Sequence, residues 1–174
     1  SLYLNNIGGN NVSVGNKSLL SNTSGNNNIA TGYESLFANK TGNTNVAAGT
    51  NALRSNISGN VNIAIGDSAL YFNGATVNVA VGSKALYSNS TATGNTALGF
   101  ETLKNSNGIN NTATGYRSLL LNTLGVNNTA NGFSTLRDNL TGDNNTAMGS
   151  GALLLNKADD NTATGALALQ SNTT

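Results

Sequence analysis

Asn62-Ile63-Ala64-Ile65-Gly66-Asp67-Ser68-Ala69-Leu70 is the stretch that decides the fold, because versions of it recur along the whole chain. Around it, glycine stands at Gly15, Gly32, Gly49, Gly66, Gly82, Gly99, Gly115, Gly132, Gly149 and Gly165, always 16 or 17 residues apart. Four residues before each glycine is an asparagine: Asn11, Asn28, Asn45, Asn62, Asn78, Asn95, Asn111, Asn128, Asn145 and Asn161. Four residues after each is a leucine: Leu19, Leu36, Leu53, Leu70, Leu86, Leu103, Leu119, Leu136, Leu153 and Leu169. Three columns filled in ten of ten units are the signature of a repeat architecture.

Weaker columns complete the unit. Alanine lies two residues before the glycine in nine copies, with Ser13 in the first. The residue before the leucine is always Ser, Ala or Thr. Asparagine follows the glycine by seven residues in nine copies, with Ser106 the exception. A further glycine near the unit boundary (Gly25, Gly42, Gly59, Gly94, Gly125, Gly142) marks a turn.

The segment Asn-[Thr/Val/Ile]-Ala-x-Gly reads as a short strand, β-branched on one side and alanine on the other. The small inward alanine lets opposite walls approach. The glycine ends the strand where conformation or crowding excludes a Cβ. The leucine places one large apolar group inside each coil, on an arm that reads equally as a strand or a single helical turn. Stacked at about 4.8 Å, ten coils make a rod of about 48 Å, with amide ladders along the asparagine columns. The fold expected is all-β: a parallel β-solenoid of ten coils. It forms a single array over residues 1–174, with ten units from Asn11 to Thr174 and a partial leading unit over 1–10.

Composition agrees with a structural role. Only 9% of residues are charged, the formal net charge is +1, and Pro, Cys, His and Trp are absent. Disulfides, thiolate chemistry and histidine-based catalysis are therefore excluded, and no charge excess points to nucleic acid. No apolar run is long enough for a membrane helix, and no signal peptide is visible. One Leu and one Ala per coil make a thin core, so further burial between chains is expected. Val12, Ile29, Val46, Ile63 and Val79, with Val14, Ile65, Val81 and Leu98, are the candidates. In later units the first of these columns becomes Thr96, Thr112, Thr129, Thr146 and Thr162.

Asn145-Thr146-Ala147-Met148-Gly149-Ser150-Gly151-Ala152-Leu153 and the stretch quoted first resemble two groups of repeats. One is the β-roll head of trimeric autotransporter adhesins. The other is the NTAxGxxAL repeat of tail-fibre and large surface proteins. The resemblance covers Asn11 to Thr174 and implies a left-handed parallel β-roll, packing as a homotrimer, and a role in attachment. The units here are longer than those of adhesin heads, which implies an enlarged outer turn. The resemblance also implies an extracellular, cell-surface or virion-tail location.

No residue is nominated as catalytic, cofactor-binding or metal-binding. Acidic residues fall at no repeated column, and the adjacent pair Asp159 and Asp160 reads as a solvated turn. The basic residues Lys17, Lys40, Arg54, Lys84, Lys104, Arg117, Arg137 and Lys157 read as solubilising charges. Tyr33, Phe100, Tyr116 and Phe133 follow the glycine directly, and Phe37, Tyr71, Phe72 and Tyr87 lie elsewhere. Packing between coils or chains explains them, and a glycan-binding stripe is the alternative. Sequons at Asn22, Asn39, Asn56, Asn89 and Asn139 are candidate glycosylation sites on outer turns. Thr112-Ala113-Thr114 and Thr162-Ala163-Thr164 have the alternation of an ice-binding face, which Leu98, Asn131 and Met148 interrupt. The expected partners are copies of the same chain, then a host surface or glycans; neither nucleic acid nor membrane insertion is expected. The function expected is a non-enzymatic structural or adhesive fibre segment.

Overall fold

The computed structural model describes residues 2–173; Ser1 and Thr174, the outermost positions of the expected array, lie outside the described residues. Ten three-residue strands follow one another: β1 Val12–Val14, β2 Ile29–Thr31, β3 Val46–Ala48, β4 Ile63–Ile65, β5 Val79–Val81, β6 Thr96–Leu98, β7 Thr112–Thr114, β8 Thr129–Asn131, β9 Thr146–Met148 and β10 Thr162–Thr164. They form one parallel sheet in sequence order, so each coil, numbered by its strand, hydrogen-bonds only to its neighbours. The expected β-solenoid is the fold, with all ten predicted strands present. Residues 2–10 add a partial coil in front, through Leu2 N–H to Ser18 O (3.3 Å) and Leu4 N–H to Leu20 O (3.1 Å).

The register aligns equivalent residues throughout: Ile63 faces Val79, Ala64 faces Ala80, and Ile65 faces Val81. Within each strand the middle residue points inward and the two flanking residues point outward, as the period of two requires. The inward alanines from Ala30 to Ala163 and the leucines from Leu19 to Leu153 form one continuous buried column. The residue preceding each leucine fills the space beside it, and Ala52, Ala69, Ala85 and Ala152 are fully buried there. At this spacing each alanine wall can lie close to the leucine column with no void between them.

The arm after the glycine is neither a strand nor a helical turn. It is a succession of bends in which the second and fourth residues after the glycine take left-handed φ, as at Glu34 (51°) and Leu36 (49°). A third left-handed residue precedes each inward asparagine, for example Asn27 (58°). Three such corners per coil let a short chain close on itself. A buried leucine in this region costs about 1–2 kcal/mol each time, offset by its full burial. The corners also keep their backbone groups pointing along the axis. Leu36 N–H donates to Ala52 O (2.9 Å) and Ala38 N–H to Arg54 O (2.9 Å), so coil-to-coil bonding continues well beyond the strands.

The glycine column is required twice over. Gly66 sits at φ 129°, and a Cβ there would lie 2.7 Å from the carbonyl carbon of Gly82 in the next coil. The boundary column is crowded in the coils that carry glycine, since at Gly125 a Cβ would meet the Gly142 carbonyl oxygen, whereas Ala75, Ala92 and Ala158 hold the same position in three other coils. Gly94 does not belong to that column. It occupies the left-handed corner of its coil (φ 73°), and Ala92 takes the boundary position. Units of 16 residues lose their one residue ahead of this corner, between the asparagine seven residues after the column glycine and the boundary residue, as in Asn73-Gly74-Ala75 against Asn56-Ile57-Ser58-Gly59.

Candidate functional surfaces

Two asparagine columns hold the corners, and they act differently. In the first, which contains Asn28, Asn45, Asn62, Asn95, Asn128 and Asn145, Oδ1 accepts the backbone N–H of the equivalent asparagine one coil on. Asn45 N–H reaches Asn28 Oδ1 at 3.0 Å, and Asn145 N–H reaches Asn128 Oδ1 at 2.9 Å. Nδ2 of the same residues donates to the boundary carbonyl of the next coil, as from Asn28 to Gly42 O at 2.8 Å. This column is chiefly a side-chain clamp on backbone. The side-chain amide ladder is the second column. Asn39 Nδ2 donates to Asn22 Oδ1 (2.9 Å), Asn56 Nδ2 to Asn39 Oδ1 (3.0 Å) and Asn139 Nδ2 to Asn122 Oδ1 (3.1 Å).

That ladder corrects the glycosylation reading. Asn22, Asn39, Asn56, Asn89 and Asn139 are all fully buried. Each Nδ2 is committed to the preceding coil's amide and to its own boundary carbonyl, as with Asn39 to Gly42 O at 3.0 Å. A glycan would need that nitrogen free and exposed. The sequons there follow from a structural asparagine beside Ser- and Thr-rich turns.

The ladder has one interruption. Ser106 replaces asparagine in coil 6, and its Oγ meets Asn122 Nδ2 only at 3.4 Å. Asn89 Oδ1 is left as the one buried side-chain polar atom without a partner among the described residues.

Five of the eight basic residues are in ion pairs, a pattern that a reading of all eight as scattered solubilising charges misses. Glu34 accepts from Arg54 Nε at 2.6 Å and from Lys17 Nζ at 3.4 Å. Glu101 accepts from Lys104 Nζ at 2.7 Å and Arg117 Nε at 2.8 Å. Both carboxylates are largely buried. The Arg54 hydrogen bond holds the Glu34 carboxyl below its ordinary range, and the Lys104 hydrogen bond does the same for Glu101, each against an opposing effect of burial. The signal was present in the sequence: Lys17 and Glu34 share a column one coil apart, as do Glu101 and Arg117. Asp159 Oδ1 accepts the Asp143 N–H (2.8 Å) and Asp160 Oδ1 accepts from Asn144 Nδ2 (3.0 Å), so this acidic pair continues outer ladders. No grouping of three potential metal ligands occurs among the described residues.

The outer surfaces carry the remaining candidates. On the sheet, Val12, Val14, Ile29, Ile63, Ile65 and Leu98 are exposed, and Val46, Val79 and Val81 are half-buried. From β6 onward the first outward column is threonine, and the second holds Leu98, Thr114, Asn131, Met148 and Thr164. Beside the sheet, Phe100, Tyr116 and Phe133 stack at 5.4 Å with ring planes 12° and 4° apart. Tyr71, Phe72 and Tyr87 form a separate cluster with both stacked and edge-on contacts. Arg54 lies over the Phe37 and Tyr71 rings. No helix long and apolar enough to cross a membrane occurs among the described residues. Comparison of the chain with protein-family models, curated proteins and solved structures returned no match.

Proposed function

We propose that this chain is a non-enzymatic shaft segment of an extracellular fibre, a surface adhesin or a tail fibre, assembled from copies of itself. The observation that carries the reading is the outward face of β1–β6. There Val12, Val14, Ile29, Ile63, Ile65 and Leu98 lie exposed in two adjacent columns on a face whose strands are only three residues wide. A contiguous apolar stripe of this kind marks a contact surface. Its regular coil spacing suits a second copy of the same stripe, since like columns then meet at the same pitch. A trimer around one axis is the arrangement implied by the resemblance to adhesin heads and fibre repeats, and an extracellular or virion-tail location follows from the same resemblance. The interior fits a mechanical role, because the repeated Leu, Ala, Asn and Gly columns fix a backbone that presents side chains at constant intervals.

Sedimentation and electron microscopy test this reading. The expected result is an elongated oligomer that dissociates in the triple variant Ile29→Thr, Ile63→Thr, Ile65→Thr while its β-sheet circular dichroism persists. A monomer at every concentration tested, or an oligomer indifferent to the triple variant, would sink it.

A further inference from the structure

The chain contains three Asn-Gly steps, at Asn73-Gly74, Asn107-Gly108 and Asn131-Gly132. In such a step the glycine nitrogen can attack the preceding side-chain amide, because no Cβ shields it and the small ring that closes is unstrained. The fold decides which step is free to react. Asn131 lies on β8, and Gly132 N–H donates to Thr114 O at 2.9 Å, so its nucleophile is committed to the neighbouring coil. Asn73 is 2% exposed and belongs to the amide ladder. Its Nδ2 donates to Asn56 Oδ1 (3.1 Å) and Ala75 O (2.9 Å), and its Oδ1 accepts from Asn89 Nδ2 (3.2 Å). Both ends of that amide are held.

Asn107 differs in each respect. It is exposed, on the irregular outer segment of coil 6, so water reaches its side chain. Ser90 N–H and Ser90 Oγ both donate to Asn107 Oδ1, at 3.0 and 2.9 Å. Two donors on one carbonyl oxygen polarise Cγ and stabilise the oxyanion that attack creates. Neither Asn107 Nδ2 nor Gly108 N–H has a protein partner among the described residues. Gly108 is buried, but its N–H has no hydrogen bond to give up before it ionises. Nucleophile and leaving group are thus free while the carbonyl between them is activated.

We infer that Asn107 is a self-modification site, converted to an aspartyl or isoaspartyl residue by attack of the Gly108 nitrogen. Gly108 N gives its proton to hydroxide and bonds to Asn107 Cγ. The Cγ–Nδ2 bond breaks, and the amide leaves as ammonia with a proton from water. Water then opens the cyclic imide at either carbonyl; nothing is oxidised or reduced. One opening leaves an aspartate that keeps both Ser90 donors as charge-assisted bonds. The other routes the main chain through the side chain and adds a methylene before Gly108. Gly108 O accepts from Asn95 Nδ2 at 2.9 Å, and the Gly125 carbonyl packs against the Gly108 Cα. The isoaspartyl form therefore loosens a clamp beside the Ser106 interruption, where the valine and isoleucine half of the shaft meets the threonine half.

Peptide-mapping mass spectrometry of the purified chain, held in mildly alkaline buffer either folded or in denaturant, tests this. In the folded chain Asn107 should convert at least about fivefold faster than Asn73 or Asn131, the rate equivalent of one hydrogen bond that those sites must break first. In denaturant the three rates should become similar. Isoaspartyl methyltransferase should label the folded chain at this position and fail to do so in Asn107→Gln, whose circular dichroism should match the parent. The inference is overturned if folded Asn107 keeps its amide while the unfolded chain loses it. It is equally overturned if Asn73 or Asn131 converts as fast as Asn107 in the folded chain. The measurement needs no assembly and is independent of the fibre reading.

Discussion

Coils 1–5 and coils 6–10 share one interior and differ on the sheet's outward face. In both halves the inward strand residue is alanine, apart from Ser13, and the buried arm residue is leucine. Outside, the first column runs Val12, Ile29, Val46, Ile63, Val79 and then turns to Thr96, Thr112, Thr129, Thr146, Thr162. The strands keep the same length and register across this change. The inward columns therefore specify the backbone, and the outward columns are free to specify contacts. Both sets of outward residues are β-branched, which satisfies the strand equally well with or without a hydroxyl. The second amide ladder breaks at the same place, since Ser106 belongs to the first threonine coil.

The most severe way to break the comparison is to attack the shared interior in each half. Gly66→Ala and Gly132→Ala would each put a Cβ within 2.8 Å of the next coil's carbonyl group, at φ near 130°. Strain plus overpacking should cost about 3 kcal/mol or more at either site. Chemical denaturation reads this directly, and a much smaller loss in one half would show that the two interiors are not equivalent.

Ser106→Asn should sharpen the comparison by joining the two segments of the ladder. The same shortened corner already accommodates asparagine at Asn73 and Asn156, so the space exists. The new Nδ2 would supply the missing partner of Asn89 Oδ1. The expected gain is about 1–3 kcal/mol, seen as a higher denaturation midpoint and slower amide exchange across coils 5–7. An unchanged midpoint would mean that water already satisfies the orphaned oxygen.

The smallest effect concerns one ion cluster in each half. Glu34 and Glu101 have carboxyls held below their ordinary value of 4.5. Their contribution is therefore present at neutral pH and is lost as the pH falls through the lowered folded values. Glu101→Gln should lower stability at neutral pH and flatten its acid dependence, with Glu34→Gln behaving alike in the other half. Denaturation midpoints at neutral pH and at about pH 3 check this; parallel acid profiles for variant and parent would refute it.

The legible part of the fold was that governed by one-residue rules. Alternation around Ala64 and Ala147 placed the strands and their inward side, and the invariant Gly66 and Gly132 marked positions intolerant of a Cβ. The arm from Gly32 to Asn39 was not legible, because leucine carries no signal for a left-handed φ such as that of Leu36. That conformation is imposed by closure of the coil and stabilised by burial. The sequons at Asn22 and Asn39 misled for a related reason: Asn beside Ser or Thr reads the same whether its amide faces solvent or another amide. Charge pairing was half legible, since Glu101 and Arg117 share a column, whereas Arg54 reaches Glu34 from a different column one coil away.

By itself the sequence determined the period, the strands, the parallel stacking and the identity of the core columns. These follow from a side-chain period of two and from exact repetition, which forces like residues into register. Only the tertiary structure decided which asparagines form the ladder, where the corners turn left-handed, and which side chains gather outside. Those features depend on contacts between residues 16 to 20 positions apart, as with Asn22 and Asn39 or Glu34 and Arg54. Such contacts exist only once one coil has closed and the next has been laid upon it.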